Sequence, residues 1–174
     1  SAVANADDPP VAWAASVIPN VTWVSVGNSW TADSVLCPSC GAILHRADRD
    51  WHCDCGFRRP DVSWRLENAA LVDAGGARDM LSLALPGAAN EANAVMAAVA
   101  AHEMGVPTTI ALPAMRTVKS VGGRYQIVEL GGRRVRLLLG KNPAGWAEMF
   151  EMLEPAPAPV VIAINARAAD GKDP

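Results

Sequence analysis

Four thiols crowd into one short stretch of the chain, as Cys37-Pro-Ser-Cys40-Gly and Cys53-Asp-Cys55-Gly with twelve residues between the pairs. A cysteine pair two or three residues apart, followed by glycine, makes a tight turn in which backbone N–H groups point at sulfur while both thiolates converge on one ion. Two such turns complete a tetrahedron. Four soft thiolates suit zinc and close its coordination shell, leaving no open position for a substrate, so the expected role of Cys37, Cys40, Cys53 and Cys55 is structural. Binding of about 10 kcal/mol or more would supply folding energy to a segment rich in Cys, Gly, Arg and Asp that cannot build its own core. The competing readings are a pair of disulfides or redox-active thiols. A chain without a secretory signal disfavours the first, and a redox Cys-x-x-Cys rarely travels with a second pair. Because the second pair is Cys-x-Cys where Cys-x-x-Cys is commoner, His45 or His52 is an alternative fourth ligand.

Other polar residues fall where ligands are usually held. Asn90 and Asn93, three apart at the start of an expected helix, share one face, where side-chain amides donate and accept at once and suit an adenine edge; a helix cap and a surface amide are the plainer reading. Asn5, Asp7 and Asp8 follow a strand end, where α/β proteins place ligand contacts, yet Asp-Asp-Pro is also an ordinary helix start. Lys141 and Asn142 close one expected strand and the loop from Asn165 to Asp173 follows another. If those strands are parallel neighbours the two loops share a rim; a capped helix and a solvent loop are the alternative. The six tryptophans, Trp13, Trp23, Trp30, Trp51, Trp64 and Trp146, read as core or interface anchors, with Trp51 packing the cysteine segment against the body.

The elements that must position these residues alternate. Val21 to Val26 reads as a strand, and Asp7 to Ser16 as a short helix with Asp8 as cap and Pro9 at its first position. Trp64 to Val72 and Met80 to Leu85 read as strands joined by the Asp73-Ala74-Gly75-Gly76 turn. Asn90 to Met104, between Pro86-Gly87 and Gly105, is the clearest helix. Tyr125 to Leu130 and Arg134 to Leu139 form a hairpin around Gly131-Gly132. Val135 to Leu139, Pro143 to Leu153 and Val160 to Ile164 read as strand, helix, strand, for which parallel pairing follows.

At 174 residues, 51% apolar and 19% charged, the chain is long and apolar enough for a real core. Its net charge of -3 gives no electrostatic case for nucleic acid, despite basic clusters at Arg58-Arg59 and Arg133-Arg134-Arg136. With neither a membrane-spanning apolar run nor a signal sequence, the chain reads as cytoplasmic. Both ends look cut, so a fragment with parts missing on either side is expected.

Taken together, the motifs resemble the MurT family, the Mur ligase-like subunit of lipid II isoglutaminyl synthase. The matching segments are N-A-D-D-P at Asn5 to Pro9, the ribbon from Cys37 to Pro60, A-N-E-A-N-A-V-M-A-A at Ala89 to Ala98, and G-R-Y at Gly123 to Tyr125. They continue with K-N-P-A-G-W at Lys141 to Trp146 and I-N-A-R-A-A-D-G-K-D-P at Ile164 to Pro174. The resemblance implies an α/β fold in which residues 1–33 and 63–120 are parts of an ATP-binding middle domain. A zinc ribbon at 34–62 would interrupt it, and 121–174 would begin a C-terminal domain with a βαβ unit. The implied activity is that of an ATP-dependent carbon-nitrogen ligase, using ATP and Mg to activate the D-glutamate α-carboxyl of the lipid II stem peptide. Ammonia would come from a GatD-type glutaminase partner. No G-x-x-x-x-G-K-S/T phosphate loop occurs, so the fragment alone should not turn over.

The resemblance also implies residue roles. Asn90 and Asn93 would lie near the nucleotide, although Ala89 stands where related ligases often carry His. Asn5, Asp7 and Lys141 would join the nucleotide side, and Arg124 would reach its phosphate or ribose, an exposed hairpin arginine being the alternative. Asp170 or Asp173, in D-G-K-D, would complete the Cys-His triad of the glutaminase by orienting its imidazole. This chain has Asn165-Ala166-Arg167 where the family commonly has Asn-Asp, which loosens that match. Two other readings stand beside this one: a non-catalytic zinc-ribbon module docking protein or nucleic acid, and a folate-type Mur ligase relative with another acceptor.

Overall fold

Short runs of small and β-branched residues between turn formers suit a half-buried pleated surface, and they build the body of the protein. In the computed structural model, which describes residues 1–27, 30–122, 124–153 and 159–164, β1 (Ala2–Asn5) leads through α1 (Pro9–Ala15) to β2 (Val21–Ser25). Asp8 is the N-cap residue and Pro9 takes the first helical position, as expected, although the Asp8 side chain makes no capping bond. β1 and β2 run parallel, from Ala2 beside Val21 to Asn5 beside Val24. The cysteine segment follows, carrying its own antiparallel hairpin, β3 (His45–Ala47) and β4 (Asp50–His52). The chain then returns as β5 (Trp64–Glu67), parallel to β2 with Val24 beside Trp64. The insert therefore leaves and re-enters between neighbouring strands.

β6 (Ala70–Asp73) and β7 (Arg78–Met80) complete a sheet of order β1-β2-β5-β6-β7, with the last two pairings antiparallel. One expectation fails here: Trp64 to Val72 is not a single strand. Asn68 and Ala69, at φ 50° and 53°, turn the chain in two residues between β5 and β6. Consecutive left-handed residues are the geometry of the tightest hairpin turn, and alanine hides the signal that Asn-Gly would have shown. The segment Met80 to Leu85 is likewise strand only as far as Met80. Relieving the left-handed strain at position 69 with Ala69→Gly is expected to stabilise the fold by up to about 1 kcal/mol, net of glycine's entropy. Thermal unfolding measures it, and a lowered midpoint would contradict the turn assignment.

The core lies between this sheet and α2 (Ala88–Glu103), whose Val95, Ala98 and Val99 are completely buried against Val24, Leu66 and Leu71. α2 ends in a Schellman turn, Val106 N donating to Ala101 O at 2.9 Å and Gly105 N to His102 O at 2.8 Å. α3 (Thr108–Met115) then packs Ala111 and Leu112 into the same core. Nothing in the sequence reading anticipated α3, because Pro107 and the internal Pro113 disguise it as a loop.

β8 (Tyr125–Leu130) and β9 (Arg133–Leu138) form the expected hairpin around Gly131-Gly132, followed by α4 (Pro143–Glu151). The third member of the expected strand-helix-strand unit does not form. Val160 to Ile164 carries no strand pairing and is exposed, Val161 at 92% and Ile164 at 83%. A strand needs a neighbour to receive its backbone hydrogen bonds; β9 is paired with β8 alone among the described residues.

Candidate metal centre and its junction with the body

Each cysteine pair sits on a turn built by the backbone. In the first, Cys37 N donates to Ala42 O at 2.7 Å and Gly41 N to Cys37 O at 2.8 Å. In the second, Cys53 N donates to Phe57 O at 2.8 Å and Gly56 N to Cys53 O at 3.0 Å. Gly41 (φ 78°) and Gly56 (φ 90°) close the two turns in a conformation that side-chain-bearing residues rarely adopt. The β3–β4 hairpin spans the gap and brings the turns face to face. Cys37 Sγ lies 3.8 Å from Cys55 Sγ and Cys40 Sγ 3.5 Å from Cys53 Sγ, and all four sulfurs are within 4.8 Å of one another.

A zinc–sulfur bond of about 2.3 Å places tetrahedral sulfurs about 3.8 Å apart, so the quartet is positioned to bind a metal and its donor set fits structural zinc. All four thiols are free, so neither of the disulfides considered from sequence is formed. Nor is a histidine needed. His45 stacks on His52 with ring centroids 5.0 Å apart, and its Nε2 meets Asp54 Oδ1 at 3.1 Å.

The four thiols differ electrostatically. Burial pushes the Cys37 thiol up, but backbone hydrogen bonds from Ser39 and Cys40 and the neighbouring thiols outweigh it and bring the group down to about 7. Cys53 receives a lowering backbone hydrogen bond at Cys55, outweighed by burial and the three other sulfurs, and rises to about 12. Cys40 has a lowering backbone hydrogen bond at Ala42, yet is raised by burial and by its neighbours at Cys55 and Cys37. A metal must displace the protons that remain. Above about 7 Cys37 is already a thiolate, whereas below it zinc must displace one proton more. The zinc affinity is therefore expected to fall by a further factor of about ten per pH unit below that point. Competition with a chromogenic chelator measures this; a slope against pH unchanged between 8 and about 5 would contradict it.

The ribbon seats on the body through a small core of its own, in which Ala12, Cys37, Leu44, Trp51 and Cys53 pack with Trp23 and Phe57. Trp51, only 1% exposed, anchors it as expected, its Nε1 donating to Ala6 O at 3.0 Å. Trp13, by contrast, is 50% exposed and does not belong to that core. Asp7 is buried at the junction. Its carboxylate accepts from Arg59 Nε at 2.8 Å, pairs with Arg59 Nη2 at 2.7 Å, and also accepts from Ser25 Oγ at 3.0 Å and Gly27 N at 2.7 Å. Asn5 Oδ1 in turn accepts from Asp7 N at 2.9 Å. A cleft beside this network is lined by Asp7, Thr31, Arg46, Asp48 and Arg49.

The remaining sequence candidates stand elsewhere. Asn90, on the first turn of α2, donates through Nδ2 to Pro86 O at 2.5 Å, and Asn93 is exposed. At the N-terminus of α2, Ala89 N donates to Glu148 Oε1 of α4 at 2.6 Å. Gly87 leaves room for this contact: a Cβ there would meet Met152 Cε at 2.5 Å and Glu148 Oε1 at 2.7 Å. Arg124 and Lys141 are both exposed, Arg124 just before β8 and Lys141 three residues past the end of β9, away from the hairpin turn. Asn142 is the helix cap of α4, its Oδ1 accepting from Gly145 N at 2.8 Å. Asp170 and Asp173 lie outside the described residues. Sequence reading missed Glu148 and saw Arg59 only as part of a basic cluster; their partners lie 59 and 52 positions away.

No family model matches the chain. It is similar to the MurT subunit of lipid II isoglutaminyl synthase (glutamine-hydrolyzing) from Streptococcus pneumoniae, with 27% identity over 158 residues, 83% of this chain and 35% of that protein. Among solved structures it is similar to a pseudomurein peptide ligase type C from Methanothermus fervidus, with a TM-score of 0.70 and 24% identity over 88% of this chain and 34% of that one. The chain thus spans about a third of the length of the relatives it matches. Its fold is a mixed α/β, Mur ligase-like one carrying a four-cysteine cluster, and the resemblance to MurT extends over most of the chain. No helix of the described residues is long and apolar enough to cross a membrane.

Proposed function

From that likeness to MurT we propose that the chain is part of a subunit of lipid II isoglutaminyl synthase, which amidates the D-glutamate α-carboxyl of the peptidoglycan stem peptide. A carboxylate is a poor electrophile, and ATP with Mg would supply the phosphoryl group that activates it for attack by ammonia. The ammonia would come from glutamine through a GatD-type glutaminase partner. In this reading residues 1–33 and 63–120 belong to the nucleotide-handling domain, 34–62 is its zinc ribbon, and 121–174 begins the next domain. The observation that carries the proposal is the Cys37–Cys55 quartet on an insert between parallel neighbours β2 and β5, in a chain similar to MurT.

Within that assignment the residues of this chain bind and orient. The four cysteines hold zinc. Asn90 and Asn93 offer amides to the nucleotide, with Asn5 and Asp7 at the carboxyl edge of β1, the side of an α/β sheet where ligands bind. Arg124 and Lys141, both exposed cations, are suited to phosphate oxygens. Asp170 or Asp173 would serve the partner's Cys-His pair. The test is to express the full-length gene with its chromosomal neighbour and assay lipid II by mass spectrometry. An amidated product that requires both ATP and glutamine is expected. Unaltered lipid II in the presence of both would remove the proposal.

A further inference from the structure

Asn5 and Asp7 occupy the edge where a ligand is expected, yet their side chains are spent inside the protein. Asn5 bonds to the Asp7 backbone, and the Asp7 carboxylate, 4% exposed, is saturated by Ser25, Gly27 and Arg59. Ala6 between them is fully buried, and its carbonyl accepts from Trp51. Two of these holds come from the ribbon. Trp51 precedes the second cysteine pair by two residues and Arg59 follows it by four. The two are themselves joined, Arg59 N donating to Trp51 O at 3.0 Å. The metal turn at Cys53 and Cys55 therefore presents an indole N–H and a guanidinium as one unit to two consecutive residues of the body, Ala6 and Asp7.

We infer that the ribbon is a positioning device for the nucleotide side of the body, with Arg59 and Trp51 as the positioning residues that set the loop between β1 and α1. The inference rests on the nucleotide reading of that edge given above. A ribbon that merely filled space would need only its apolar seat, made by Ala12, Trp23, Leu44 and Trp51. Instead it places a cation on a buried carboxylate. Without that cation Asp7 is a buried charge short of its partner, which is relieved by moving the loop toward water. Loss of the metal frees both holds at once, so zinc occupancy and nucleotide affinity are coupled although no cysteine touches the nucleotide.

The test uses the full-length protein and a non-hydrolysable ATP analogue with Mg, titrated calorimetrically, with zinc per chain measured for every sample. Arg59→Ala is expected to keep its zinc while the dissociation constant of the analogue rises by about tenfold, a typical coupling between sites. Arg59→Lys should recover part of that loss, because it restores the charge without the planar fork. Trp51→Phe, which keeps a ring in the seat but strands the Ala6 carbonyl, should weaken the analogue several-fold. A merely structural role would lower thermal midpoints and leave the affinity of the folded protein untouched. Zinc-loaded Arg59→Ala binding within twofold of wild type would overturn the inference, and should that variant fail to fold, the same result for Trp51→Phe does so. Wild-type protein that binds no analogue at all removes both this inference and the ligase reading beneath it.

Discussion

Cys53→Ser is expected to yield a protein with well under one zinc per chain, cut readily by proteases between residues 34 and 62, while the sheet of the body persists. Of the described residues in that segment only Ser34, Cys37, Leu44, Trp51 and Cys53 are buried, far too little apolar surface to offset the conformational entropy of ordering it. Metal binding supplies the difference, about 10 kcal/mol or more in small zinc domains, and serine offers no thiolate to complete the tetrahedron. The body has independent support: α2 buries Val95, Ala98 and Val99 against strands that do not depend on the insert for their pairing. Elemental analysis and limited proteolysis read the two halves separately. One zinc per chain together with wild-type resistance would mean that the quartet is not the metal site.

The second large effect concerns Asp170 and Asp173. In the complex with the glutaminase, either Asp170→Asn or Asp173→Asn should lower glutamine hydrolysis by up to about 10⁴-fold, the scale seen when a triad carboxylate is replaced by its amide. The amide keeps the size of the side chain but no longer stabilises the imidazolium or selects its tautomer. Nucleotide binding, carried by other residues, should be unaltered. Both variants hydrolysing glutamine at the wild-type rate would refute the role, and loss in one alone identifies the residue.

What could be read from sequence was what is local. The cysteine turns, the Gly131-Gly132 hairpin, the Asp8-Pro9 helix start and the run of small residues in α2 each carry their instruction within a few positions, and the structure has all four. The failures share a cause too. Ala69 takes a left-handed turn position that its type does not advertise, and α3 tolerates Pro113 because the buried Ala111 and Leu112 hold it in place. Val160 to Ile164 has the composition of a strand and no strand partner among the described residues. Asp7 was legible as a residue at a strand end, but its commitment to Arg59, 52 positions away, is a fact of packing. Asn90, offered from sequence as a nucleotide contact or a cap, does not cap the helix; its Nδ2 donates to the Pro86 carbonyl, while Glu148 reaches the helix terminus from α4.

Because the insert departs after β2 and returns at its parallel, hydrogen-bonded neighbour β5, it is also the crossover between them, and its removal would require another connection of about a dozen residues or more. What such an exchange touches is Asp7. A lineage that exchanged the ribbon for another crossover would inherit the Asp7 carboxylate with its guanidinium gone, leaving only a hydroxyl and an amide beside it. The acidic identity at 7 is then no longer tied to an arginine, so the identities at 7 and 59 should be gained and lost together across descendants of this protein.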